Sequence, residues 1–347
     1  YKRQALSWAS GTEVMTSWDY EMSQLENHDA VLVAPATRNT ISKHIHGIMD
    51  SPVLMALSAA RGNRTPILFV PSMHSDIFDD SVTRDLLKTL RDEGSAVMIS
   101  EIEEGRRKQP DPISIVANFC NMVNKELSGR RIVAITLGAN RAPIDDVRAI
   151  QNASSGSTGW TIAEYLHRMG HQVICIAGKT SSHPSFTLPD VRRAGSPDSM
   201  LSVAKTVASE QPQPDAWIHS AAVLDYYTEP INGKKPSGDD PWELILIPGV
   251  KHIAELSPLV DGAIRIGFKL ESDVSDELLV LMAMEQIERF GVDAVVANLM
   301  DEIHDPDTLR GRFVRSDGTV DDIHDLSLIH ISEPTRRYAI SYAVFCL

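Results

Sequence analysis

The sequence predicts an α/β protein made of two Rossmann-like, three-layer units with mostly parallel sheets. Three observations carry this expectation. Short apolar runs ending in small residues, Pro or polar loops recur along the chain and read as buried strands. Amphipathic stretches of helical length alternate with them. The pattern restarts near residue 127, where "KELSGRR" is polar and glycine-bearing, and 347 residues suffice for two units. The units are expected over 1–126 and 127–325.

In the first unit, "HDAVLVAPAT" (28–37) reads as a buried strand followed by a loop, and "RTPILFVPSMH" (64–74) repeats the form. "SVTRDLLKTLRDEG" (81–94) is an amphipathic helix ended by Gly94. "SAVMIS" (95–100) is a further strand, and "DPISIVANFCNMVNKELSG" (111–129) a closing helix. In the second unit, "RRIVAITLGA" (130–139) is a strand followed by a long polar loop to residue 157. Then come a helix at 158–170, a strand at 171–178, a helix at 200–211 and a strand at 215–223. "WELILI" (242–247) and "AIRIGFKLES" (263–272) are strands, 276–291 a helix, and "VDAVVANLM" (292–300) a strand. Ligands of such a unit sit in the loops beyond the carboxyl ends of its strands.

Composition narrows the function classes. A net charge of −14 and 43% apolar residues fit a folded protein and argue against a broad nucleic-acid footprint. A local cluster of N–H groups and cations still suffices for a phosphorylated small molecule. Cys120, Cys175 and Cys346 are too scattered for a metal site or disulfide framework, which points to a reducing cytoplasm. No apolar run has membrane-spanning length. The chain begins at Tyr1 without Met, so an N-terminal piece is expected to be missing. The segment 326–347 resembles translated sequencing adapter and is expected to be a non-native tail.

The loops at the strand ends of the second unit carry the chemistry. "QNASSGSTG" (151–159) opens a helix with Ser154, Ser155 and Gly156, an arrangement suited to an anion; an ordinary helix cap is the plainer alternative. Ala221 and Ala222 let a ligand lie against the sheet, and Asp225 suits a hydroxyl or a metal-bound phosphate. Lys234 and Lys235 could reach phosphate, and Phe268 could stack on a base. The G-x-G-x-x-G dinucleotide fingerprint is absent, which counts against a nicotinamide-dependent oxidoreductase.

The ordered string "TLGANRAPIDDVRAIQNASSGSTGWTIAEYL", "SAAVLDYY", "GKK", "IGFKLE" and "VDAVVAN" resembles phosphopantothenate–cysteine ligase. The first unit, with "APATRNTISKHIHGIMDSPV" and "VPSMH", resembles the flavoprotein phosphopantothenoylcysteine decarboxylase. The two occur fused in this order in the coenzyme A biosynthesis bifunctional family, and the resemblance covers about residues 5 to 325.

The resemblance implies CTP- or ATP-dependent joining of 4′-phosphopantothenate and cysteine with Mg²⁺ through an acyl-nucleotidylate. FMN-dependent decarboxylation of the product follows. It makes Asn152 the residue that assists conversion of the acyl intermediate and Ser154, Ser155 and Gly156 the anion turn. Gly138, Arg148, Ala221, Ala222, Asp225 and Phe268 would line the nucleotide and substrate site, with Lys234 or Lys235 on phosphate. Asp225 would touch metal only through the Mg-nucleotide. Ala36, Thr37 and Asn39 are the implied FMN contacts. Homo-oligomers are implied as well.

Departures from the family pattern fall at defined places. Ala142 stands where a Glu is common, and Gln286 and Phe290 where bacterial ligases carry lysines, with Arg289 as the compensating cation. Glu21 occupies the position of the decarboxylase's active-site His, and His74 that of the Asn that binds the substrate carboxylate. Glu21 and Ala142 leave a non-catalytic flavin- or nucleotide-binding module as the competing expectation.

Overall fold

The run Val31–Ala36 forms the first strand of the described fold, β1. The structure, a computed structural model, describes residues 28–100, 109–302 and 309–324, with Ser17 and four two-residue strands outside those spans. Glu21 lies outside the described residues, as does the tail 326–347 apart from Val344–Phe345. The chain divides into two units, Tyr1–Glu126 with Pro334–Leu347, and Leu127–Glu333.

In the first unit, β1, β2 (Ile67–Pro71) and β3 (Ala96–Val97) form a parallel sheet in that order. Around them lie α1 (Arg38–Ile45), α2 (Pro52–Gly62), α3 (Ser81–Asp92) and α4 (Pro112–Asn124). Helix α3 shows why the pattern folds as it does. Leu86, Leu87 and Leu90 are buried, while Arg84, Asp85, Lys88 and Arg91 face solvent. Each buried Leu contributes about 2 kcal/mol. Asp80 caps the helix through the Val82 N–H at 3.2 Å, and Gly94 at φ +90° turns the chain out.

Two helices stand where the sequence reading gave only loop. Ser51 before Pro52 is a cap-and-proline entrance for α2 that was legible in the sequence. α1 is short and polar, and tertiary contact sustains it through Ile41 and His44. His44 is 2% exposed, its ring 5.4 Å from that of Phe69, and neither ring nitrogen has a hydrogen-bond partner among the described residues. Strand 95–100 shortens to β3.

The second unit holds an eight-stranded sheet. Six strands run parallel: β4 (Ile132–Leu137), β7 (Gln172–Ala177), β8 (Asp190–Arg193), β9 (Ala216–His219), β10 (Ile264–Glu271) and β11 (Ala294–Leu299). They lie in the order β8-β7-β4-β9-β10-β11, followed by antiparallel β12 (Gly311–Arg315) and β13 (Val320–Ile323). The strand order therefore reverses between β4 and β9, the place where doubly wound sheets bind their ligands.

Helices α5 (Ser157–Arg168), α6 (Pro197–Ser209), α7 (His252–Leu256) and α8 (Asp276–Phe290) cover the faces. Trp217 of β9 is fully buried against Ala134, Met200, Ala204 and Leu256. Within the expected polar loop, β5 (Arg141–Pro143) and β6 (Ala149–Gln151) form an antiparallel hairpin. The expected strand 242–247 is a correction: only Ile247–Pro248 is extended, paired with Tyr226–Tyr227. Leu244 to Leu246 are exposed and have no neighbouring strand among the described residues to complete a sheet. No helix among the described residues is long and apolar enough to cross a membrane.

Candidate functional site

At the reversal of strand order, the chain leaving β4 meets the chain leaving β9. The Ala222 N–H donates to the Gly138 carbonyl at 2.8 Å. The Ala222 carbonyl accepts from the Asn140 N–H at 3.1 Å and from Asn152 Nδ2 at 3.0 Å. Asn152 is thus fixed by one of its amide hydrogens, and its second N–H and its Oδ1 remain available to a ligand. Asn140 itself is fully buried, and its Oδ1 has no partner among the described residues.

The entrance to α5 is built against the loop after β7. Gly156 is the N-cap, left-handed at φ +82°, so the helix start carries no cap side chain. Ser155 Oγ accepts from the Ser157 N–H at 3.3 Å, while the Ser155 carbonyl accepts from Ser182 Oγ at 2.8 Å. Ser154 is half-buried beside it. The glycines serve packing here. A Cβ on Gly156 would lie 2.6 Å from Thr180 Cγ2, and one on Gly138, at φ +79°, 2.7 Å from the same atom. Gly156→Ala therefore combines left-handed strain with a clash against a stiff β-branched side chain and should destabilise the unit by about 2–3 kcal/mol, read by urea unfolding. A change below about 0.5 kcal/mol would contradict this packing role.

The hairpin turn collects the cations. Asp145 is 3% exposed. Its carboxylate accepts from the N–H groups of Val147 and Arg148 at 2.8 and 2.7 Å, from Arg148 Nη1 at 2.5 Å, and from the Lys235 N–H at 3.2 Å. Burial alone would raise this carboxyl, but these donors outweigh it and hold it down at about 2. Arg148 Nη1 also donates to the Lys235 carbonyl at 3.2 Å. Arg148 and Lys235 both lie over the Trp242 ring, at 5.4 and 4.4 Å from its centroid. Lys234 is exposed on the same loop. Asp225 is exposed and ion-paired with Lys251.

The remaining sequence candidates divide. Phe268 is half-buried on β10, next to β9, and its carbonyl accepts from Gln286 Nε2 at 3.4 Å. Gln286 thus supports the sheet where a phosphate-binding cation was sought. Arg289 is a correction. It lies in the last turn of α8, beside Phe290 and Gly291, whose carbonyls accept from Arg265 at the start of β10. That is the amino end of the parallel strands, so within one chain Arg289 cannot join the loops at their carboxyl ends. Sequence reading missed Asp145, Trp242 and Lys251. A Trp seven residues after Lys-Lys was the one available signal.

In the first unit, Ala36 is fully buried at the end of β1. Thr37 caps α1, its Oγ1 accepting from the Thr40 N–H at 3.2 Å. Asn39 is exposed on the first turn, and the neighbouring Arg38 pairs with Asp80 at 2.6 Å. His74 is exposed at the end of the short strand Met73–His74. No group of three or more His, Cys, Asp or Glu placed to hold a metal occurs among the described residues.

Comparison with known proteins bears on this arrangement. The family described as "DNA/pantothenate metabolism flavoprotein C-terminal domain" matches residues 127–331, and that described as "Flavoprotein" matches residues 2–124. The coenzyme A biosynthesis bifunctional protein CoaBC of Thermococcus kodakarensis is 34% identical over 304 residues, 85% of this chain and 74% of that protein. The chain belongs to the CoaBC family.

The CoaBC protein of Methanocaldococcus jannaschii is 29% identical, over 85% of this chain and 72% of its own length. A cysteine/cysteine sulfinic acid decarboxylase from an unknown prokaryotic organism is 30% identical, over 79% of this chain and 77% of its own. Membership of the CoaBC family bears out the resemblance read from the ordered motif string and sets aside the nicotinamide-dependent alternative. It also makes the first unit a flavoprotein-family domain.

Proposed function

We propose that the second unit joins 4′-phosphopantothenate to cysteine at the expense of CTP or ATP, and that the first unit decarboxylates the product with FMN. The observation that carries the ligase reading is Asn152, anchored on the Ala222 carbonyl at the reversal of strand order. The substrate carboxylate attacks the α-phosphorus, pyrophosphate leaves, and an acyl-nucleotidylate remains. The cysteine amine then attacks the acyl carbon. The tetrahedral oxyanion collapses with release of the nucleoside monophosphate, and the new amide nitrogen loses its proton.

Asn152 offers its free N–H to that oxyanion, which a preorganised donor stabilises more than the ground state. Ser154, Ser155 and the Gly156 helix start, with Gly138, Ala221 and Ala222, form the wall against which the phosphates lie. Arg148, Lys234 and Lys235 neutralise them, and Phe268 meets the base. Mg²⁺ enters with the triphosphate, as its usual binding by substrate phosphates plus one or two carboxylates allows, and Asp225 is the exposed carboxylate at that edge.

For FMN, the donor set at the start of α1 fits a phosphate or ring carbonyl: Asn39 offers an exposed amide, and Thr37 a hydroxyl and a helix-start backbone. When bound, flavin would accept two electrons from the cysteinyl thiol, which makes loss of CO₂ easy, and would return them to the product. In this reading His74 orients the substrate carboxylate, and Ala36 keeps the strand end small. Glu21 is the proton-transferring group of this reading. The protein works as a homo-oligomer in the cytoplasm, and burial pushes the Cys175 thiol up to about 12, keeping it out of the chemistry.

The test incubates the full chain with 4′-phosphopantothenate, cysteine, Mg²⁺ and either CTP or ATP, following pyrophosphate and product mass. The expected result is stoichiometric pyrophosphate and amide product with one nucleotide preferred. A folded chain that turns over neither nucleotide would overturn the ligase reading.

A further inference from the structure

The geometry points to a latch in which Asp145 and Trp242 act as positioning residues for Arg148 and Lys235. Trp242 is the ring on which both cations rest until a triphosphate takes them. The inference rests on the second unit being a nucleotide-dependent ligase.

Asp145 is the fixed end of this latch. Its buried carboxylate gathers four donors from two separate segments, the hairpin turn 145–148 and the loop at Lys235. It thereby ties the lysine loop to the hairpin that leads into Asn152. Trp242 is the exchangeable end. It is half-buried on an exposed loop, with its indole facing a guanidinium and an ammonium at 5.4 and 4.4 Å. A ring holds a partly solvated cation weakly. Phosphate oxygens hold it through charge-assisted hydrogen bonds, which are stronger. The same two cations can therefore stay ordered without nucleotide and still transfer to it. Pre-ordering two long side chains lowers the entropy lost on binding.

Removing the ring should loosen nucleotide binding and leave the acyl chemistry alone. Expected for Trp242→Ala in the full chain is a rise of about tenfold in the nucleotide KM, with the cysteine KM unchanged and kcat within threefold. Trp242→Phe, which keeps a ring face, should restore the nucleotide KM to within about threefold. Asp145→Asn should raise the same KM at least as far, and because that variant removes a buried anchor, the variants at half-buried Trp242 decide the matter.

A spectroscopic reading separates the latch from a structural role. Titrating the wild-type chain with the Mg-nucleotide alone should change tryptophan emission, and the change should vanish in Trp242→Phe. A wild-type nucleotide KM in Trp242→Ala, or an emission change that survives in Trp242→Phe, overturns the latch. An emission change that depends on Trp242 in a chain without ligase turnover upholds the latch as a triphosphate site and removes the ligase reading instead.

Discussion

Asn152→Ala should release close to one equivalent of pyrophosphate per site and then stall, with the acyl-nucleotidylate detectable by mass. Amide formation should fall by about 10²–10³, the range for loss of one oxyanion donor. In the proposed mechanism the first half-reaction displaces pyrophosphate from phosphorus and uses the cations and the anion turn, so it survives. The second builds charge on a carbonyl oxygen and, in the same proposal, uses the N–H that Asn152 holds in place from Ala222. Folding should change little. The Ala222 carbonyl keeps its hydrogen bond from the Asn140 N–H, so the loss is about 1 kcal/mol. Amide formation at the wild-type rate, or equal loss of both half-reactions, would remove Asn152 from this role.

Mild acid should unfold the first unit early, and His44 sets the window. Burial, with the charge of Arg61 adding to it, lowers this imidazole from 6.5 to about 4 in the folded state. The unfolded chain therefore takes up the proton first as pH falls. The stability that neutral His44 contributes is complete above pH 6.5, declines between 6.5 and 4, and falls no further below 4. The loss reaches on the order of 2–3 kcal/mol by pH 4.5. His219 repeats the pattern in the second unit, where burial first, then Arg265 and His252, hold it down to about 3. Urea midpoints at pH 7.5, 5.5 and 4.5 read the effect. His44→Leu should flatten the profile of the first unit across that range, and a parallel decline in both proteins would sink the assignment.

What could be read in advance, and what could not, follows from the range of each signal. The parallel strands announced themselves because a strand covered on both faces is apolar along its length, as "IVAITL" is in β4. Helix α3 was legible because Leu86, Leu87 and Leu90 repeat at helical spacing. The ordered strand-end motifs were enough to indicate the family. By contrast, "WELILI" is apolar yet only its last residue, Ile247, pairs with another strand, and α1 is polar yet held by Ile41 beneath it. In both, long-range contact overruled local preference.

The sequence by itself determined the α/β class and the family, and it singled out the strand-end loops proposed to carry the ligase site. Each of these is written in residues close together along the chain. Only the tertiary structure decided which side chains of those loops meet. Asp145 joins Lys235 across 90 residues, and Asn152 reaches Ala222 across 70. Trp242 comes under Arg148, and Lys251 finds Asp225. Arg289, close to the site in motif order, ends at the amino end of the parallel strands because a crossover helix returns the chain to the start of the next strand. Contacts of that kind depend on strand order and loop paths, which no local spacing encodes.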